Sequence, residues 1–196
     1  GKVYRTLIDE GLEAIMVGHI ALPEMSRKLV PGIEDKDIKP ATLSKELLTD
    51  LLREDMNFNG LVITDASHMV GMSATSKRCD AVPGAIIAGC DMFLFANDIA
   101  EDMAYVRKAY EDGLLTEERL EEAVRRILGM KAHLNLTDES VIIPDKKELD
   151  NIGCEAHREC AKKAADECIT LVKDTYKNLP VNPDEKKRVF LVYVGS

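Results

Sequence analysis

In the stretch Gly60-Leu-Val-Ile-Thr-Asp65-Ala-Ser-His68-Met69, an apolar run leads straight into a carboxylate. The same construction occurs once before, where Ile15-Met-Val-Gly18 leads into His19. If both runs are strands of one parallel sheet, a carboxylate and an imidazole stand at the same end of it. In βα folds that end carries the active site whatever the reaction. The geometry names no reaction by itself. The plain readings stand beside it: Asp65 capping the next turn through an Asx-type bond, His19 as a hydrogen-bonded pocket histidine, His68 as a solvent-facing loop residue, Met69 as core filling. A metal site from His19, Asp65 and His68 is the third option. No tight ligand spacing such as H-E-x-x-H supports it. Asp91 opens its strand rather than ending it and reads as structural.

These groups need strands and helices to position them, and the pattern supplies both. Gly11, Gly60 and Gly89 each close a helical stretch and precede a short apolar strand: residues 12–17, 61–64 and 90–95. Glycine tolerates the left-handed conformation that ends helices. Near-continuous apolar strands suit a parallel sheet covered on both faces. Helices are predicted over 2–10, 44–56, 77–88, 99–112, from Thr116 to about His133, and 154–168. Ser44 is a good N-cap, and Leu47, Leu48, Leu51 and Leu52 follow at helical spacing. Strands alternating with helices mean βα units. The polar stretch 137–153, with Pro144 and the charged cluster Asp145-Lys-Lys-Glu148, reads as a linker. Ile169–Lys173 and Val189–Val194 read as strands of a second α/β unit, 154–196.

Composition narrows the classes. The 196 residues carry a net charge of −9, with 45% apolar and 31% charged residues, as in an ordinary globular protein. An acidic chain without a basic stripe argues against nucleic acid as a partner. No run of about 18 apolar residues occurs, so no membrane span is expected. Cysteines 79, 90, 154, 160 and 168 are odd in number and form no C-x-x-C pair, which argues for free thiols and a cytoplasmic setting. The chain starts at Gly1 in what reads as mid-helix and stops just after a strand, so both ends look cut.

Three blocks together resemble glycoside hydrolase family 3, the retaining β-glycosidases. They are Ile15-Met-Val-Gly-His19-Ile20 with Lys39-Pro-Ala-Thr-Leu-Ser44; Leu52-Arg-Glu-Asp-Met-Asn-Phe-Asn-Gly60-Leu-Val-Ile-Thr-Asp65-Ala66 with Met69 and Gly71; and Ala88-Gly-Cys-Asp91 with Thr116-Glu-Glu-Arg-Leu120 and Arg126-Ile-Leu-Gly-Met-Lys131. The resemblance implies an α/β fold: an incomplete TIM-type (β/α) barrel, its last three βα units over 1–136, then the linker 137–153 and the beginning of an α/β sandwich domain over 154–196. Three units do not close an eight-stranded barrel, and the exposed edges make self-association of the piece an expectation.

The resemblance also implies the chemistry. Asp65 occupies the position of the family's catalytic nucleophile, whose ionised carboxylate attacks the anomeric carbon and forms a covalent glycosyl-enzyme. His19, His68 and Met69 fall where substrate is contacted. A histidine at 19 resembles the β-N-acetylhexosaminidase branch, which implies terminal β-linked N-acetylglucosamine, as in peptidoglycan fragments, as substrate. β-Glucosidase or β-xylosidase activity, phosphate in place of water, and a truncated non-catalytic glycan-binding module are the alternatives. No cofactor and no metal are implied. The acid/base block of that branch, Lys-His-Phe-Pro-Gly-His-Gly, does not occur here. The piece alone is therefore expected to be inactive.

Overall fold

The computed structural model describes residues 1–138, 145–177, 179–182, 184, 185, 188, 190, 192 and 194. The chain divides into two units, Gly1–Ile142 and Ile143–Ser196. In the first, helix α1 (Lys2–Asp9) leads to strand β1 (Ala14–Val17) and helix α2 (Pro23–Leu29). A wide π-type helix, Glu46–Asp55, precedes strand β2 (Leu61–Ala66). The short α3 (Val70–Ser73) and α4 (Arg78–Ala88) lead to strand β3 (Met92–Leu94), and α5 (Ile99–Glu111) and α6 (Glu117–His133) complete the unit.

All three strands run parallel in the order β1-β2-β3. Ala14 pairs with Leu61 and Val17 with Thr64; Ile63 pairs with Met92 and Ala66 with Leu94, with a register shift between those last two pairs. β2 is thus the central strand, and its tip carries Asp65. The helices pack on one face of the sheet, where Ile15, Val17, Val62 and Thr64 are buried with Leu48, Leu52, Phe58, Met72 and Ala85. The opposite face, which the apolar runs led us to expect covered, is open among the described residues: Met16 is 60% exposed. Alternation explains the split, since successive strand residues point to opposite sides.

The caps follow local chemistry. The Ser44 hydroxyl accepts the Leu47 N–H at 3.2 Å, as an N-cap should. Thr116 does the same for α6, accepting from Arg119 N at 3.3 Å, and Asp98 for α5, accepting from Glu101 N at 3.0 Å. Gly60 serves a different purpose from the one its position suggested. The left-handed residue before β2 is Asn57, with φ +56°. At Gly60 the backbones crowd instead: a Cβ there would lie 2.3 Å from the Glu13 carbonyl oxygen.

At the starting end of the sheet lies an ion cluster. The Asp91 side chain is fully buried and meets Arg53 at 2.6 Å, Arg119 at 2.9 Å and Arg126 at 3.5 Å. It also accepts the Val62 N–H at 2.9 Å. Arg53 further donates to the Phe58 and Gly60 carbonyls, and Arg119 to those of Ile86 and Cys90. Burial pulls the Arg53 guanidinium below its usual range, against the opposing pull of Asp91. The cluster ties the π-helix, β2, β3 and α6 to one carboxylate. Next to it, Cys90 is sealed from solvent, and burial, followed by the Asp91 charge, pushes its thiol up to about 12.

In the second unit a 3-10 turn, Lys146–Asn151, precedes helix α7 (Glu155–Cys168). The predicted strand Ile169–Lys173 is not formed among the described residues: Ile169 is 78% and Val172 90% exposed. A strand needs a neighbour's N–H and C=O groups, and none of the described residues offers them. The predicted strand Val189–Val194 lies partly outside the described residues. Among the described residues no helix is long and apolar enough to cross a membrane.

Asp91→Ala leaves three partly buried guanidinium groups without their shared carboxylate and should lower the unfolding free energy by about 3–5 kcal/mol, measured by urea titration. Cys90 should stay unlabelled by a thiol reagent in the native protein at pH 8, because the raised pKa keeps it as the unreactive thiol. Exposed Cys79, Cys160 and Cys168 should react.

Candidate active site

Asp65 is the next-to-last residue of β2, half-buried, on the open side of the sheet. Its Oδ1 accepts the N–H of Ala66 at 2.7 Å, a local bond that fixes the carboxylate's rotation. Among the described residues no bond is made to Oδ2. The strand behind it is pinned on both flanks. On the β3 side the buried Thr64 hydroxyl accepts the Leu94 N–H at 2.9 Å, and Ser67 N donates to the Leu94 carbonyl at 3.1 Å.

His19 sits just past the tip of β1 and is 7% exposed. Its Nδ1 lies 2.8 Å from the Thr42 hydroxyl, and its Nε2 lies 3.1 Å from the Ala66 carbonyl oxygen, to which it donates. Thr42 Oγ1 is also 3.1 Å from the Gly18 carbonyl oxygen. The imidazole is therefore locked between the segment after β1 and the residue that follows Asp65. Gly71 backs this lock from α3: a Cβ there would stand 2.4 Å from the His19 carbonyl oxygen and 3.0 Å from its Cβ. The structure thus brings His19 and the Asp65 segment together through Ala66.

The other sequence candidates are placed differently. His68 is exposed in the loop after β2, its ring 6.2 Å from that of Phe95. Met69 is 43% exposed and precedes α3; it is Met72, 2% exposed, that fills the core. Asp91 lies at the opposite end, in the ion cluster. Among the described residues no group of three or more His, Cys, Asp or Glu could hold a metal ion, and both His19 nitrogens are already engaged.

A cavity of about 310 Å³ opens between the loop after β2 and α4, lined by Ser67, His68, Met72, Ser73, Arg78 and Asn97 among others. A cleft of about 530 Å³ at Glu13, Asn59, Arg126 and His133 belongs to the other end of the sheet, where the ion pair His133–Glu13 at 2.8 Å sits. Thr42, Ser67, Arg78 and Phe95 were not singled out by sequence reasoning. Thr42 stood inside the Lys39–Ser44 block, which was the signal available for it.

A parallel sheet with helices on one face, a half-bonded carboxylate near its central tip and a locked histidine beside it make this an α/β unit with its candidate groups at the strand ends. Comparison makes the class specific. Residues 1–130 match the glycosyl hydrolase family 3 N-terminal domain. A beta-N-acetylglucosaminidase/beta-glucosidase of Cellulomonas fimi is 45% identical over 193 residues, covering 98% of this chain and 34% of that protein. Beta-hexosaminidase A of Pseudoalteromonas piscicida is 30% identical over 170 residues, covering 82% of this chain and 28% of that protein. The solved structure of the beta-glucoside phosphorylase BglX bound to 2FGlc superposes with a TM-score of 0.82 at 43% identity, covering 94% of this chain and 33% of that one. The chain belongs to glycosyl hydrolase family 3. It spans about a third or less of the length of these relatives.

Gly71→Ala must push α3 off His19, because the nearest atoms are backbone. It should cost about 1–3 kcal/mol in a denaturant titration and shift the His19 ring signals in NMR spectra. Gly129→Ala, inside α6 with nothing within 4 Å of its Cβ, is the unstrained control and should hold or raise stability by up to about 1 kcal/mol.

Proposed function

We propose that these residues are part of a retaining β-glycosidase in which Asp65 is the nucleophile, acting on terminal β-linked N-acetylglucosamine. The observation that carries this reading is the Asp65 carboxylate: at the tip of the central strand, one oxygen held by Ala66 N, the other without a partner among the described residues. A nucleophile must be both rigid and unspent, and this side chain is both. In the first step an Asp65 oxygen bonds to the anomeric carbon as the glycosidic oxygen leaves with a proton from an acid. In the second, water replaces Asp65 and the β configuration is restored.

We read unit 1 as the last three βα units of a catalytic barrel. The open sheet face, bearing Met16, Ile63 and Asp65, then faces the barrel interior, and the free edges of β1 and β3 pair with the remaining strands. The segment from Glu155 onward is the start of a second α/β domain. The acid/base comes from outside this chain, so the 196 residues alone turn over substrate poorly. General acid–base help is worth about 10²–10⁴-fold. His19, through Thr42 and Ala66, sets the height of the Asp65 segment, and His68 and Met69 line the rim. Recycling of peptidoglycan fragments in the cytoplasm suits the substrate class and the free thiols.

A second reading has its own support, the name of the 43% identical phosphorylase. In that case a phosphate oxygen, not water, displaces Asp65, and the product is a sugar 1-phosphate. The two readings share the covalent step and part at the acceptor.

In the full-length protein, Asp65→Asn should lower turnover of an aryl N-acetylglucosaminide on the order of 10³-fold or more. A 2-fluoro sugar should add its mass at Asp65. Turnover within a few-fold of wild type would remove Asp65 from the role. Phosphate titration separates the acceptors: a sugar 1-phosphate replaces free sugar only in a phosphorylase. Rates on nitrophenyl glucoside against nitrophenyl N-acetylglucosaminide decide the sugar.

A further inference from the structure

Phe95 stands one residue past β3 with φ +56°, in the left-handed region that bulky side chains rarely occupy. Its carbonyl accepts a hydrogen bond from the Ser67 hydroxyl. Ser67 is 2% exposed, and its hydroxyl oxygen in turn accepts from Arg78 Nη2 at 3.2 Å. Arg78 is gripped by the buried Asp102 of α5, with Nε to Oδ1 at 2.7 Å and a second bond from Nη2 to Oδ2. The guanidinium also lies 5.7 Å from the centre of the Phe93 ring. The loop after β2, α4 and α5 therefore converge on one peptide and hold it in an unfavoured conformation.

What this arrangement achieves is unusual for a phenylalanine. The polar groups are buried behind it, and the ring is left outside, 60% exposed. It lies at the same end of the sheet as Asp65, tilted 35° to the His68 ring. Backbone strain that a buried network maintains, at the end of the fold where chemistry takes place, points to a use for the strained side chain. The flat C–H face of a pyranose ring is the ligand chemistry that an exposed phenyl face fits.

We propose that Phe95 is a stacking wall for a pyranose ring of the substrate, and that Ser67, Arg78 and Asp102 are its positioning residues. The proposal rests on the reading of Asp65 as a glycosidase nucleophile and adds a specificity element to that site. The test is Phe95→Gly in the full-length protein. Glycine takes φ +56° without penalty, so the backbone path survives and the melting temperature should hold or rise. KM should rise about 3- to 10-fold, the range of an aromatic stacking contact, with a smaller change in kcat. Phe95→Tyr and Phe95→Trp should restore KM to within about twofold. Ser67→Ala should raise KM in the same direction while keeping Phe95, since it frees the peptide. KM for Phe95→Gly within twofold of wild type overturns the proposal. So does a large fall in melting temperature with KM unchanged, which would make Phe95 a packing residue covered by the rest of the protein. Failure of the nucleophile reading shows separately: wild-type protein treated with the 2-fluoro sugar would then carry no added mass at Asp65.

Discussion

One enclosed carboxylate holds the architecture together. Asp91 is fully buried, and water cannot reach it to compensate its charge. A lone ion in that place would be forbidding; surrounded by Arg53, Arg119 and Arg126 it becomes a joint. The joint has direction, because Arg53 also fixes the Phe58 and Gly60 carbonyls and Asp91 itself takes the Val62 N–H. The entry of β2 is therefore set in position and angle. Asp65 lies three residues beyond Val62 on the same strand, so the joint sets where the strand starts, while the Thr64 and Ser67 bonds to Leu94 hold its far tip.

The two ends of the sheet divide the labour. At the entry end the Asp91 carboxylate is enclosed, with both its oxygens engaged by guanidinium groups and the Val62 N–H. At the exit end the polar groups are arranged to hold backbone and leave side chains available. Thr64 and Ser67 fasten β2 to β3, His19 fastens β1 to Ala66, and the Asp65 carboxylate keeps an oxygen unassigned among the described residues. This is the separation expected of βα folds, where one end carries stability and the other function.

Much of this was legible in the residues. Apolar runs of four to six residues behind glycines marked β1, β2 and β3, and the first polar residues after two of them marked the candidate site. The helix cap at Ser44 and the helix start at Thr116 could be read because helix starts are set by local chemistry. What could not be read was non-local. Nothing in the string shows that Asn57 makes the left-handed turn while Gly60 serves a close approach to Glu13. Ser67, Arg78 and Asp102 are 11 and 24 positions apart, with no period linking them. The apolar run Ile169–Lys173 reads as a strand by composition, yet strand formation depends on a neighbour. The open sheet face has the same cause: a composition suited to burial states what a residue tolerates, not what lies opposite.

The parallel order β1-β2-β3 carries one further consequence. β2 alone has ladder partners on both sides, whereas β1 and β3 each lack one among the described residues. For these three strands taken by themselves, the β2 amide protons should exchange last with solvent deuterium, since freeing them demands that two neighbours part at once. The acid near its end thus rides on a strand that stays paired on one side when either outer strand frays.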